Sequence, residues 1–379
     1  MKKLSLILII LLTISISCKR DSLISKDTFE PNFELPKPIR LVKPVGFPPF
    51  PSTDLVLSEE GIELGRKLFF DPILSADNTL SCAGCHSPER AFTDDGKAVS
   101  VGIDGIAGSK NSMALFNLAW SPSMFWDGRR PTLKAQAFDP VVDPIEMHHT
   151  WPNALKALKG DPVYPELFQK VFGVEDFDSS HVVDAIAQFE MTLISADSEY
   201  DKLVRLTGND FTNTVPPFAD PDAIAGFKIF NSEPKRPDGS GSPGGDCFHC
   251  HGSSGNILFT SNQFMNNGLD ADPSPGLYRV TKNPADYGKF KAPSMRNLSF
   301  TAPYMHDGRF QTLEEVVDFY NEGVNASSPN LSSFMKKTNR LANGLQLTDT
   351  EKRQLIAFLK TLDDSTFIEN PAFKNPNLR

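Results

Sequence analysis

Two short stretches, Cys82-Ala83-Gly84-Cys85-His86 and Cys247-Phe248-His249-Cys250-His251, carry the same pattern 165 positions apart in a chain of 379 residues. C-x-x-C-H is the pattern at which a haem is attached through two thioethers, the His holding the iron. Each copy obliges the surrounding chain to close around a flat apolar ring, which restricts the fold more than any other feature. A structural zinc site draws four ligands from Cys and His pairs at close spacing, and a thioredoxin-type C-x-x-C has no need of the following His. Cys18 is the fifth and last cysteine. With Cys18 assigned below, none is left for a disulfide framework.

The surroundings of the motifs repeat as well. Ahead of the first lies LSEEGIELGRKLFFD, with Leu64, Leu68 and Phe69 at helical spacing; ahead of the second lies DPDAIAGFKIFNS, with Ile224, Phe227 and Phe230. Ser58 and Asp220 are placed to cap these helices. About a hundred residues after each motif comes another apolar helix, HVVDAIAQFEMTLIS and TDTEKRQLIAFLKTLDD, sharing Ile-Ala, a Phe and Thr-Leu. The expected fold is mainly α, with two cytochrome-c-like domains at 55–205 and 206–379, each around one covalently bound haem c.

The N-terminus MKKLSLILIILLTISISC has a Lys2-Lys3 start and an apolar run too short for a stable span, as in a secretory signal. Small residues before a lone Cys resemble a bacterial lipoprotein cleavage site. The expectation is a signal peptide at 1–17, acylation of Cys18, and a tether at 18–54. Seven of the 30 prolines fall between Pro31 and Pro51, which favours an extended segment there. These features point to a periplasmic, membrane-anchored lipoprotein. The net charge is −9; loss of Lys2 and Lys3 leaves 36 basic against 47 acidic residues, a net −11. That balance speaks against nucleic acid and favours encounter with a basic protein partner.

From about residue 57 to 362 the chain resembles the bacterial di-haem cytochrome c peroxidases and their MauG-type relatives. Beyond the haem motifs, the resemblance rests on FWDGR (125–129), QAFDPVVDPIEM (136–147), APSMRNLSFTAPYMHDG (292–308) and LIAFLKTL (355–362). It implies reduction of hydrogen peroxide to water at the N-terminal haem, with electrons entering at the C-terminal haem. It also implies roles for particular residues. Glu146 is the acid/base that moves a proton between the peroxide oxygens, Gln136 and Pro140 line the same pocket, and Trp126 relays electrons between the haems. A Ca²⁺ is implied between the domains, held by the Asn111 side chain and the carbonyls of Thr301 and Pro303. Donor proteins in the family are small cytochromes c or cupredoxins, and a homodimer is compatible with it.

Two departures stand out. Many members block the resting N-terminal haem with a His on the loop after the first motif; the equivalent residue here is Ile103, which cannot ligate iron. The loop offers no His or Met between His86 and Met113, so a five-coordinate first haem is expected. At the second haem, a Met is commonly found 14 residues after the His of the HDG segment; here that residue is Tyr320, as in MauG-type enzymes. A phenolate stabilises Fe(III) relative to a thioether. Met295 and Met305 are the alternative ligands. His148 and His149 follow Glu146 and could border its pocket, His181 starts a helix, His249 is an x position of its motif, and His306 is a propionate or packing partner. Three functions remain open: peroxide reduction, MauG-like oxidation of side chains on a partner protein, and electron transfer without catalysis.

Overall fold

The computed structural model describes residues 35–235, 238, 240–336 and 344–377. The signal sequence, Cys18 and the first part of the tether lie outside the described residues. The described chain is mainly helical. The first half contains α1 (Glu59–Phe70), α2 (Leu133–Val142), α3 (Trp151–Gly160), α4 (Tyr164–Phe172), α5 (Ser179–Met191) and α6 (Glu199–Thr207). The second contains α7 (Pro221–Phe230), α8 (Phe248–His251), α9 (Tyr278–Thr281), α10 (Leu313–Asp318), which runs into a π-helical turn at Phe319–Gly323, then α11 (Asp349–Lys360) and α12 (Ser365–Glu369). The sheet is a two-residue antiparallel pair, β1 (Phe264–Met265) with β2 (Phe290–Lys291). Among the described residues no helix is long and apolar enough to cross a membrane.

The expected caps form. Ser58 Oγ accepts from Gly61 N at 3.0 Å and starts α1. The Asp220 carboxylate accepts from Asp222 N at 2.9 Å and starts α7. Each satisfies an amide that a helix end would leave unpaired.

Each half is built on one helix crossing, α1 on α5 and α7 on α11, and each crossing requires a glycine. A Cβ on Gly65 would lie 1.8 Å from the Ala185 carbonyl oxygen, and a Cβ on Gly226 would lie 1.8 Å from that of Gln354. The residue one turn on is a buried phenylalanine in both cases, Phe189 and Phe358. From there the two halves run in a common register. Thr192 Oγ1 donates to Phe189 O and Thr361 Oγ1 to Phe358 O, both at 2.7 Å. Asn117 N donates to Leu193 O at 2.8 Å and Asn297 N to Leu362 O at 3.3 Å. Both asparagines adopt left-handed backbone, φ 56° and 60°, ahead of a short 3-10 turn. The shared Ile-Ala of the two sequences does not survive this register: with Phe189 on Phe358, Ile186 falls on Leu355.

The equivalence continues through FWDGR and YMHDGR. Phe125 and Met305 have φ 67° and 74°, Gly128 and Gly308 φ 72° and 68°. The bridges Met124↔Arg130 and Tyr304↔Phe310 correspond. Thr132 and Thr312 cap α2 and α10. In this frame Trp126 corresponds to His306, Asn111 to Lys291 and Pro140 to Tyr320.

Two apolar clusters fill the halves. Phe69, Phe92, Phe168 and Phe189 lie in the first, joined by Phe367 and Phe373 from the C-terminal segment; Phe227, Phe230, Phe259 and Phe358 lie in the second. The Pro-rich segment expected to be a tether is seated on the body over its second half: Phe47 is buried, and Phe50 stacks on Trp120 at 4.7 Å.

Candidate active site

Both motifs present their histidines in one way. Cys82–Gly84 form a 3-10 turn and Phe248–His251 a single helical turn, and His86 N and His251 N both donate back to the first Cys carbonyl at 3.0 Å. His86 Nδ1 lies 2.8 Å from Phe92 O, and His251 Nδ1 lies 2.9 Å from Pro293 O. A proton fixed on Nδ1 leaves Nε2 as the ligand atom. The Phe92 carbonyl is aimed by two successive left-handed residues, Ala91 and Phe92. Burial lowers the pKa of both histidines, that of His251 to about 4, so the imidazoles are neutral and able to ligate. A largely apolar cavity of about 280 Å³ is lined by Cys247, Cys250, His251, Leu258, Met295, Leu359 and Tyr320, and reaches Trp126. The histidine geometry at both motifs, and this cavity at the second, therefore fit a covalent haem.

Glu146 is partly buried beside the first motif, close enough for its charge to act on both Cys82 and Cys85. Its pKa is raised to about 7, by burial first and then by Asp143, while Arg129 opposes the shift and Asp139 adds to it. Its backbone is held on both sides: Glu146 N donates to Asp143 O at 3.1 Å, and Ile103 N donates to Glu146 O at 3.0 Å. The loop expected to offer no ligand is thus tied directly to the acid. Gly102 is required beside it, since a Cβ there would lie 2.2 Å from Ile145 O. Gln136 and Pro140 lie one turn apart on α2, and Pro140 O accepts from Met147 N at 3.2 Å, which brings that helix to the Glu146 turn.

His148 turns outward, its Nδ1 2.5 Å from Asp104 Oδ2, with both side chains exposed. His149 is anchored through its amide to Val141 O. His181 completes a capping box with Asp178. His249 is more constrained than an x position suggests: it pairs with Asp246 and stacks on Phe334 at 4.3 Å. His306 packs on Phe290 at 3.8 Å, and burial holds its pKa below the usual value.

Trp126 lies where the halves meet. Its Nε1 donates to Asn111 O at 2.9 Å and its carbonyl accepts from Lys291 N at 3.0 Å. The equivalent exchange runs the other way, Asn111 N donating to His306 O at 2.9 Å. Asn111 Nδ2 donates to Lys97 O and Ala98 O at 3.3 and 3.1 Å, leaving the amide oxygen as its accepting end. Asn111, Thr301 and Pro303 line the same cavity as Trp126. An amide oxygen and two carbonyls suit a hard cation such as Ca²⁺.

Tyr320 stands on the π-turn, a form that recurs at functional sites. Asn267 Nδ2 donates to Tyr320 Oη at 3.1 Å and lies 3.7 Å from Met305 Sδ. Sequence reasoning missed Asn267 and also Glu190, which is buried with an unpartnered Oε2 and a pKa raised by burial to about 8. Glu190 acts on Cys82 and corresponds to Leu359 of the second cavity. The local signal for Glu190 was a carboxylate in a largely apolar helix, and Asn267, in FMNNG, carried none.

Residues 59–209 match the family described as di-haem cytochrome c peroxidase. The chain is 34% identical over 309 residues to a methylamine utilization protein MauG of Methylorubrum extorquens, covering 81% of this chain and 79% of that one. It is 32% identical to a cytochrome c551 peroxidase of Nitrosomonas europaea, covering 83% and 82% of the two chains. A solved structure of a MauG-like protein associated with microbial copper homeostasis superposes with a TM-score of 0.72 at 34% identity, covering 91% of this chain and 99% of that one. The di-haem peroxidase BthA of Burkholderia thailandensis shares the fold, with a TM-score of 0.70 at 22% identity, covering 88% and 95%. With both motif histidines held in one way and this extent of likeness to MauG and peroxidase relatives, the chain belongs to the di-haem cytochrome c peroxidase and MauG family.

Proposed function

We propose that this protein reduces hydrogen peroxide to water in its first half, with electrons entering through the second. The observation that carries the proposal is the slot shared by Pro140 and Tyr320. Where the second half offers a phenol to its haem, the first offers a proline, and the adjoining loop offers Ile103. Neither can ligate iron, so this face is left to substrate. The bound haems supply the redox chemistry.

Glu146, with a pKa near 7, takes the proton from one peroxide oxygen and returns it to the other; an acid/base works best when its pKa lies near the operating pH. Gln136 and Pro140 shape the pocket. Trp126, fixed at its indole N–H and its carbonyl by opposite halves, relays electrons between them. Tyr320 would hold the second haem iron, with the Asn267 N–H donating to its oxygen; Met305 and Met295 are the alternatives on the same wall. Asn111, Thr301 and Pro303 would hold a Ca²⁺, which would brace the junction. The leader and Cys18 place the enzyme in the periplasm as a lipoprotein, where a small cytochrome c or cupredoxin reduces it.

A second reading, MauG-like oxidation of side chains on a partner protein, is favoured by Tyr320. The deciding experiment is peroxide turnover with a reduced donor, alongside resting EPR. High-spin ferric signal and direct reaction of the fully oxidised protein with peroxide are expected. Two low-spin signals, with no spectral change until reductant is added, would overturn the open-site assignment.

A further inference from the structure

Lys291 is 5% exposed, yet no carboxylate bonds its ammonium. The Nζ donates to Ser121 Oγ at 3.1 Å and to Ser123 O at 2.5 Å. Burial alone accounts for the drop of its pKa to about 8. A buried cation without a charged partner is costly, so its retention calls for a reason. The duplicated frame supplies one. Lys291 corresponds to Asn111, and the turn at 121–123 corresponds to the turn at 301–303. The ammonium, the hydroxyl and the carbonyl that meet here are therefore the counterparts of the amide oxygen and two carbonyls assigned above to calcium.

We propose that the Lys291 ammonium is a built-in cation at the counterpart of the calcium site, closing the 121–123 turn onto the second half and so positioning Trp126. The two junctions are then solved differently. One half recruits a metal ion through an asparagine; the other carries its positive charge on the chain. The main-chain bond from Lys291 N to Trp126 O and the side-chain bonds to the preceding turn fix the backbone that carries the indole at two points. This correspondence rests on the calcium assignment at Asn111; the positioning role does not.

The test uses the full holo-protein, after confirming two haems per chain by mass. In Lys291→Asn the cation is replaced by an amide oxygen, as at Asn111. Calcium per chain, measured by elemental analysis after gel filtration, is expected to rise from one to two, and the thermal midpoint should become more sensitive to a chelator. Lys291→Met removes the charge and supplies no oxygen. Amide exchange across 121–126 should rise at least tenfold at any calcium concentration, and electron exchange between the haems should slow; Lys291→Arg should restore both in part. An unchanged calcium count in a folded Lys291→Asn overturns the correspondence. Wild-type exchange and wild-type electron transfer in Lys291→Met overturn the positioning role. A wild type that binds no calcium overturns the assignment at Asn111 and leaves the Lys291→Met result standing.

Discussion

The two halves share a backbone frame and differ at a few equivalent places. Both cross two helices at a glycine, both aim the motif histidine with a backbone carbonyl, and both present a DGR turn to the other half. Within that frame Pro140 corresponds to Tyr320, Trp126 to His306, Asn111 to Lys291, and Glu190 to Leu359. The frame is common to both motifs; the substituted side chains make their surroundings different. Polar groups gathered near the first motif, Glu146 and Glu190, suit proton chemistry. The second cavity is walled by Leu, Met and Tyr, which suits a haem that only passes electrons. Fold and function are separable here within one molecule.

The largest expected effect tests whether proton chemistry is confined to the first half. Glu146→Gln should retain both haems and lose peroxide turnover by about 10²–10⁴-fold, the usual worth of a positioned acid/base. Steady-state kinetics at wild-type level would place the proton elsewhere.

Next in size is the shared crossing. Gly65→Ala and Gly226→Ala should each destabilise by about 1–3 kcal/mol, since the added methyl meets a backbone carbonyl that cannot move without shifting its helix. Denaturant titration of the two variants should give similar losses. A large loss in one and none in the other would show that the two crossings are not equivalent.

Glu190 sharpens the contrast with Leu359. Its folded pKa of about 8 lies above the unfolded carboxyl value, so the folded state keeps a proton that the unfolded state releases. Stability should fall as pH rises from about 4.5 to about 8 and level off beyond. Relaxation and water entry reduce what burial alone implies, leaving a fall on the order of 1–2 kcal/mol. Glu190→Gln should flatten that fall, as read from denaturation midpoints across the window; an unchanged profile would mean Glu190 is solvated or paired.

The smallest change concerns one loop residue. Ile103→His offers the first haem a sixth ligand, which would make the two halves more alike. High-spin EPR signal should decrease, and a need for prior reduction should appear in stopped-flow mixing with peroxide. Unchanged spectra would show that residue 103, tied by its amide to Glu146 O, cannot reach the iron.

The sequence by itself determined the two C-x-x-C-H motifs, the duplicated helices and their caps, because these depend on residues within a few positions of one another. The lack of a His or Met in the loop carrying Ile103 was legible for the same reason, as a gap in a short stretch. The register between the halves was not: the Ile-Ala match misleads by one residue, and only the close approach of Gly65 to Ala185 and of Gly226 to Gln354 sets Phe189 on Phe358. Asn267 beside Tyr320, the unpartnered Glu190 near Cys82, and the buried Lys291 on the 121–123 turn were decided by tertiary structure alone. Each depends on contacts across tens to well over a hundred residues, whose energies come from burial and desolvation that no local spacing records.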